Sequence, residues 1–190
     1  MKFDVILAGV GGQGVLSVSA IIAASALKEG LMVKQSEVHG MAQRGGAVLT
    51  NLRISDKTIH SDVIPQGSAD LILSMEPLES LRYLAWLSPG GALISSTEPL
   101  VNIPDYPQLE TILEKIRSLP NAVLVDAPRL AKETATAKAV NVVMVGAAAE
   151  LLPIGPERIE AYIREAFARK GSAVAEANVR AFRLGRETVH

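Results

Sequence analysis

The stretch that decides the fold is FDVILAGVGGQGVL, residues 3–16, in which an apolar run leads into closely spaced glycines. Phe3 to Ala8 is short and apolar, as expected of a strand that is buried on both faces of a sheet. Val15 to Lys28 is rich in Ala, Ile and Leu, and Gly30 stands where helices commonly end. The order strand, glycine turn, helix predicts the first βα unit of an α/β domain.

The rest of the chain continues this alternation. Further strands are predicted at Met32 to Glu37, Ala47 to Ile54, Leu71 to Met75, Ala92 to Ser96 and Val123 to Asp126, with a turn at Pro89-Gly90-Gly91. Helices are predicted at Pro77 to about Leu84, Leu109 to Ser118, Val140 to Leu152, Pro156 to the stop at Gly171, and Ser172 to Leu184. We therefore expect a Rossmann-like α/β fold with a mainly parallel sheet flanked by helices, a helical C-terminal end and a single domain over residues 1–190.

The composition excludes several classes of function. Nineteen Lys and Arg balance 20 Asp and Glu, so there is no excess of positive charge for general nucleic-acid binding. The absence of cysteine rules out disulfides and thiolate-held zinc or iron–sulfur sites in these residues, and no metal ligands are predicted. Asp4 interrupts the apolar N-terminal stretch, and the apolar run from Ala139 to Leu152 is too short to cross a bilayer. The expectation is a cytoplasmic protein with no membrane segment.

The glycine turn satisfies the G-x-G-x-x-G pattern through Gly9, Gly11 and Gly14. Its position before a helix predicts an anion site, because free N–H groups and the helix dipole favour a diphosphate there. Glu37, 23 residues after Gly14, stands close to where dinucleotide-binding folds place the acid that holds a ribose, so an autonomous NAD- or FAD-dependent oxidoreductase is one interpretation. The alternative is that the glycines only let the helix pack closely; the additional Gly12 favours a close backbone contact instead.

A second glycine-rich loop, HGMAQRGG at residues 39–46, follows the second predicted strand. The carboxyl end of that strand should lie beside the glycine turn, so that the two loops share a crevice. Arg44 could bind a phosphate or a carboxylate, or could equally be a solvated or interface residue. The candidate ligand-binding residues are Gly9, Gly11, Gly12, Gln13, Gly14, His39, Gln43, Arg44 and Gly45.

Other polar residues carry weaker signals. His60 and His190 lack metal-ligand spacing and are expected at the surface. Asn141, in an apolar helical pattern, is either a hydrogen-bonded core amide or a group that faces the crevice. No Ser-His-Asp order, paired carboxylates or Walker sequence is present, so the chain is predicted to lack a complete active site, with no catalytic residue of its own.

The two glycine segments together resemble the gamma subunit or domain of 2-oxoacid:ferredoxin oxidoreductases. Later stretches are similar too, namely GSADL at residues 67–71 followed by EPLE at 76–79, and NVVMVGA at 141–147. The resemblance covers nearly the whole chain. In length and in its helical end, the chain is most similar to the small beta subunits of indolepyruvate:ferredoxin oxidoreductases, although gamma subunits for pyruvate, 2-oxoglutarate or branched-chain oxoacids share these motifs.

The resemblance implies a role in the oxidative decarboxylation of a 2-oxoacid with coenzyme A, which gives an acyl-CoA, carbon dioxide and reduced ferredoxin. Thiamine diphosphate and iron–sulfur clusters carry that chemistry. Both are expected in larger partner subunits, because this chain has no cysteine and lacks the family's thiamine-binding Gly-Asp-Gly segment. The implied role is that of a small subunit, inactive alone, whose two glycine loops contact coenzyme A, thiamine diphosphate or only the partner chain.

Overall fold

A computed structural model of the chain describes residues 1–40, 45–134 and 139–189, which form one six-stranded sheet with helices on both faces. The strands are β1 (Lys2–Val10), β2 (Met32–His39), β3 (Ala47–Ser55), β4 (Ala69–Ser74), β5 (Leu87–Ser96) and β6 (Ala122–Val125). The helices are α1 (Val15–Lys28), α2 (Pro77–Arg82), α3 (Leu109–Arg117), α4 (Ala127–Glu133), α5 (Val140–Ala148), α6 (Pro156–Ala168) and α7 (Ser172–Glu187), with a short 3-10 helix at Leu84–Trp86. The predicted α/β class and helical C-terminal end are confirmed.

The strand order is β2-β3-β1-β4-β5-β6. The four strands β1, β4, β5 and β6 pair in parallel, whereas β3 is antiparallel to both β1 and β2. The sheet is therefore mixed but mostly parallel, as expected. The second strand is not the direct neighbour of β1, because β2 and β3 form a hairpin and β3 occupies the position next to β1.

Two apolar clusters cover the two faces of the sheet. Val5 and Leu7 of β1 face the larger cluster, which contains α1, α4, α5, α6 and α7, whereas Ile6 faces a smaller cluster that includes α3. All three side chains are at most 1% exposed. The apolar run from Val5 to Ala8 in β1 follows from this arrangement, since a strand covered on both faces has no solvent-facing position.

Element boundaries differ from the sequence-based ones where local irregularities occur. Pro89-Gly90-Gly91 does not form a separate turn but lies within β5, where the pairing with β4 jumps from Ala69↔Leu87 to Leu71↔Ala92. Helix α5 ends at Ala148 rather than at Leu152, because the chain turns before Pro153. Among the helices of the described residues, none combines the length and the apolar character that a bilayer crossing requires.

The helices that follow β1 and β4 cover opposite faces of the sheet. Helix α1 belongs to the larger cluster, whereas Leu78 and Leu81 of α2 pack against the smaller one. The two chain segments that leave these neighbouring parallel strands consequently diverge. Such a switch point opens a crevice at the carboxyl edge of the sheet, where ligands bind in open α/β folds.

Candidate functional site

The glycine turn is anchored on both sides by hydrogen bonds. Gln13 accepts from the backbone N–H of Val10 through Oε1, at 2.8 Å, and donates through Nε2 to the carbonyl of Met75, at 3.2 Å. Its side chain thus joins the turn after β1 to the end of β4. Gln13 is among the sequence-predicted ligand contacts. In the structure both the oxygen and the nitrogen of its side-chain amide form hydrogen bonds within the protein.

Gly9, Gly12 and Gly14 differ in the geometry that each of them permits. A Cβ at Gly9 would lie 2.8 Å from the Val15 side chain, so this glycine permits close packing of α1 on β1. Gly12 and Gly14 have φ values of 104° and 82°, in the left-handed region that favours glycine. A Cβ at Gly12 would meet nothing within 4 Å, whereas one at Gly14 would lie 2.4 Å from Nδ2 of Asn141. Helix packing therefore explains Gly9 and not Gly12.

The start of α1 presents a group of free backbone donors. No residue in the described ranges accepts a hydrogen bond from the backbone N–H of Gly12, Gly14, Val15 or Leu16. The first side chain of α1 with a charge is Lys28, in its last turn. These donors and the positive end of the helix dipole can accommodate an anionic group such as a phosphate.

The second glycine loop meets the first through its backbone. The N–H of Gly11 donates to the carbonyl of Gly46 at 2.8 Å, and the N–H of Gly45 donates to the carbonyl of Gly11 at 3.3 Å. The predicted convergence of the two loops is thereby confirmed, although β3 rather than β2 brings them together. Gln43 and Arg44 lie outside the described residues.

An apolar cavity of about 350 Å³ lies on one side of the glycine turn. Leu16 and Val48 form part of its wall, and His39, the last residue of β2, is exposed at its edge. The backbone of Gly11, Gly12 and Gly14 completes the lining. The placement of His39 beside the glycine turn agrees with the sequence-based prediction.

A larger and more polar cavity, of about 590 Å³, lies on the other side of the same turn. It is open to solvent at the carboxyl ends of β1, β4 and β5, and its lining residues are Gly12, Gln13, Gly14, Met75, Ser96, Glu98, Pro99, Leu100, Val140 and Asn141. Two helices begin at this cavity, α1 and α5. We refer to it as the crevice.

Asn141 belongs to the crevice rather than to the core. It lies in the first turn of α5, only partly buried, and no described residue hydrogen-bonds to its amide. Its proximity to Gly14 explains why that position has no room for a larger side chain. Of the two alternatives left open by the sequence, the structure favours a group that faces the crevice.

Ser96, Glu98, Pro99 and Leu100 also line the crevice, although no sequence motif marks them. Ser96 is 1% exposed and accepts from the backbone N–H of Glu98 at 3.2 Å. Their position directly after a parallel strand was the available signal, since all carboxyl ends meet at this edge. Within residues 1–40, 45–134 and 139–189, no cluster of three or more His, Asp or Glu is placed to hold a metal ion.

Glu37 does not occupy the position of a ribose-binding acid. It is an exposed residue of β2, and its carboxylate accepts from Gln35 at 3.3 Å. Because β3 lies between β2 and β1, Glu37 stands two strand spacings, roughly 10 Å, from the glycine-turn strand in the sheet plane. In the dinucleotide fold the acid-bearing strand is the direct neighbour.

The family model for pyruvate ferredoxin/flavodoxin oxidoreductase matches residues 4–188. The chain belongs to this family. It is 36% identical to the indolepyruvate oxidoreductase subunit IorB of Archaeoglobus fulgidus, an alignment that covers 97% of this chain and 94% of that subunit. It is also 31% identical to the common gamma subunit of the pyruvate/ketoisovalerate oxidoreductases of Thermococcus kodakarensis, over 91% of this chain and 89% of that one.

Solved structures of related proteins have the same fold. The pyruvate oxidoreductase subunit PORC from Thermotoga maritima superimposes with a TM-score of 0.75 at 25% identity, over 98% of this chain and 96% of that one. The 2-oxoglutarate:ferredoxin oxidoreductase from Magnetococcus marinus superimposes with a TM-score of 0.76 at 21% identity. That match covers 99% of this chain but only 31% of the Magnetococcus chain. The present chain therefore has the fold of about a third of that larger polypeptide.

Proposed function

We propose that this chain is the small, non-thiamine-binding subunit of a 2-oxoacid:ferredoxin oxidoreductase, with indolepyruvate, pyruvate or a related 2-oxoacid as substrate. The observation that carries the proposal is the near end-to-end similarity to subunits such as IorB, which are of similar length. Because these 190 residues contain no cysteine, the iron–sulfur clusters belong to a larger partner, together with thiamine diphosphate. Ferredoxin, the electron acceptor, would bind to the complex through that partner.

The site supports a contact with a phosphorylated ligand at the junction between the two polypeptides. Four N–H groups of the glycine turn and the start of α1 have no acceptor among the described residues, and the residues that carry them line the two cavities beside the turn. The amide of Asn141 lies close to Gly14 in the same place. Coenzyme A carries the phosphates that such donors recognise, and thiamine diphosphate carries a diphosphate. The glycine turn and Gly45 are therefore proposed to complete a site to which the larger subunit contributes the reacting groups.

Reconstitution tests the proposal directly. We expect the purified chain alone to show no 2-oxoacid-dependent reduction of ferredoxin, and to give that activity when combined with the large subunit found with it by co-purification from native cytoplasm. Reduction of ferredoxin with indolepyruvate, pyruvate and 2-oxoglutarate, each with coenzyme A, would also identify the oxoacid. Turnover by the single chain would contradict the assignment, as would a native assembly that contains no thiamine enzyme.

Replacement of Gly12 by aspartate should raise the KM for the phosphorylated ligand about tenfold relative to Gly12→Ala in the reconstituted complex. Both variants place a Cβ at a left-handed residue and share its backbone strain, but only the aspartate adds a negative charge beside the free N–H groups. Saturation with coenzyme A and with thiamine diphosphate is measured for each. Equal constants for the two variants with both ligands would indicate that no phosphate binds at this turn.

The alternative function, an autonomous NAD- or FAD-dependent oxidoreductase, rests on the G-x-G-x-x-G pattern alone once Glu37 lies away from the turn. Calorimetric titration of the purified chain with NAD, NADP and FAD distinguishes the two functions. Under our proposal no heat of binding is expected at millimolar ligand. Saturable binding of a dinucleotide would favour the alternative.

A further inference from the structure

The segment between β5 and α3, residues 97–108, contains three prolines and no helix or strand. It nevertheless has defined anchors. The N–H of Leu100 donates to Oε1 of Glu76 at 3.4 Å, and the hydroxyl of Tyr106 donates to the same oxygen. The carboxyl ends of two strands are thereby connected, because Glu76 follows β4 and the segment follows β5.

Glu76 is itself fixed in place. Its side chain is 1% exposed, and its second oxygen accepts from the N–H of Glu79 at 2.8 Å, which caps α2. Burial and the hydrogen bond to Glu76 raise the pKa of Tyr106, so its hydroxyl remains a donor throughout the neutral range. A buried carboxylate with three donors is a rigid point of attachment.

Between these two anchors, Asn102 crosses to the second glycine loop. Its Nδ2 donates to the carbonyl of Gly45 at 2.8 Å, across 57 residues of sequence. Gly45 has a φ of 82°, and its N–H in turn donates to the carbonyl of Gly11. Hydrogen bonds fix the backbone on both sides of Asn102 to Glu76, and two further hydrogen bonds connect Asn102 through Gly45 to the glycine turn.

This connection matters because glycines leave the backbone free to move. Gly11, Gly12, Gly45 and Gly46 all lie at the meeting point of the two loops, and neither Gly12 nor Gly45 has a neighbour that a Cβ would touch. Packing cannot hold such positions, since there are no side chains to pack. Hydrogen bonds from outside the loops are what can fix the direction of their N–H groups before a ligand arrives, which lowers the entropic cost of binding.

We propose that Asn102 is a positioning residue, which holds the Gly45 peptide against Gly11 and so keeps the donors of the glycine turn aimed at the ligand. The expected effect on KM rests on the proposed function, whereas the expected effect on the order of the glycine turn does not. Asn102 is not among the residues that line the crevice, but it sets the geometry of the glycine turn, which does line it. Tyr106 has an indirect effect, because its hydrogen bond to Glu76 fixes the segment that carries Asn102.

Two measurements test the role of Asn102. In the reconstituted complex, Asn102→Ala should raise the KM for coenzyme A about fivefold and leave kcat within about twofold, since the donors are loosened but the reacting groups are untouched. In the purified chain, the amides of Gly11 and Gly45 should exchange with deuterium about tenfold faster, while those of β1 and β4 keep their rates. Tyr106→Phe, which retains the ring, should change both quantities in the same direction by about twofold.

Asn121→Ala is the matched control, because Asn121 is an exposed asparagine whose side chain makes no hydrogen bond within the described residues. It should change neither quantity. An unchanged KM with unchanged exchange at Gly11 and Gly45 in Asn102→Ala would overturn the inference, and so would a loss confined to kcat. If the wild-type complex shows no activity, the proposed function fails, and the exchange rates still decide whether Asn102 orders the glycine turn.

Discussion

Gly185→Ala should lower the free energy of unfolding by about 3 kcal/mol, a large effect for one added methyl group. A Cβ on Gly185 would lie 1.9 Å from the carbonyl oxygen of Val143, and one on Gly146 would lie 2.0 Å from that of Phe182. The two glycines therefore allow α5 and α7 to touch backbone to backbone. Neither obstructing oxygen belongs to a flexible side chain, so the added methyl can be accommodated only if the helices separate.

The gain in helix propensity from glycine to alanine, about 1 kcal/mol, offsets only part of this cost. Thermal unfolding of the purified chain should show a midpoint lower by about 6–12 °C for a protein of this size. Gly90→Ala is a suitable control, because a Cβ there meets nothing within 4 Å and its φ is not left-handed. A Gly185→Ala variant as stable as Gly90→Ala would show that the helices are not in close contact in solution.

The same helix contact bears on the crevice. Helix α5 begins beside Gly14 and carries Asn141 in its first turn, and α7 packs along it. The position of Asn141 relative to the glycine turn therefore depends on a contact between helices at the far end of the sequence. A separation of α5 from α7 would therefore change the crevice as well as lower the stability.

The sequence predicts well what neighbouring residues determine. The strand, glycine turn and helix at residues 2–28 are predicted almost to the residue, because burial on both faces leaves the apolar run from Val5 to Ala8 and the glycines mark its end. The ends of the predicted strands also identified the edge of the sheet at which the two glycine loops meet. Where an element is specified by its own residues, the pattern is sufficient.

Pairing between strands is a different matter. The residues of β2 are mostly exposed, and a short polar strand of this kind fits an antiparallel hairpin as well as a parallel βαβ unit. If β2 were the parallel neighbour of β1, Glu37 would lie next to the glycine turn. Because β2 instead pairs with β3, Glu37 lies one strand further away. No periodicity within β2 distinguishes these two arrangements.

Contacts between residues that are far apart in the chain could not be predicted from the sequence either. Asn102 and Gly45 are 57 residues apart, and nothing in a proline-rich segment indicates which loop its asparagine reaches. Asn141 stands out in the sequence because an amide is unusual in an apolar helix, but only the fold shows that it lies close to Gly14. Such contacts depend on the spatial arrangement of whole elements.

The second large effect is expected at the opposite edge of the sheet, where Asp4 is fully buried. Arg53 of β3 lies opposite Asp4 of β1 and donates to both carboxylate oxygens, at 2.9 and 3.0 Å, and Lys2 donates to one of them at 2.8 Å. Arg53 also binds the carbonyls of Ser61 and Val63, both at 3.1 Å, and so attaches the segment after β3 to the sheet.

Asp4→Asn should therefore lower the free energy of unfolding by about 3 kcal/mol, because it leaves the Arg53 guanidinium without its counter-charge. We take the lower end of the range for broken buried pairs, since the Arg53 side chain is 16% exposed. Urea unfolding of the purified chain measures the loss.

The double variant Asp4→Leu with Arg53→Met should recover much of the lost stability, because no buried charge remains unpaired. Glu110→Gln, which breaks an ion pair with Arg117 exposed on both sides, should cost less than about 0.5 kcal/mol. Equal losses for Asp4→Asn and Glu110→Gln would mean that Asp4 is solvated rather than buried in the folded protein.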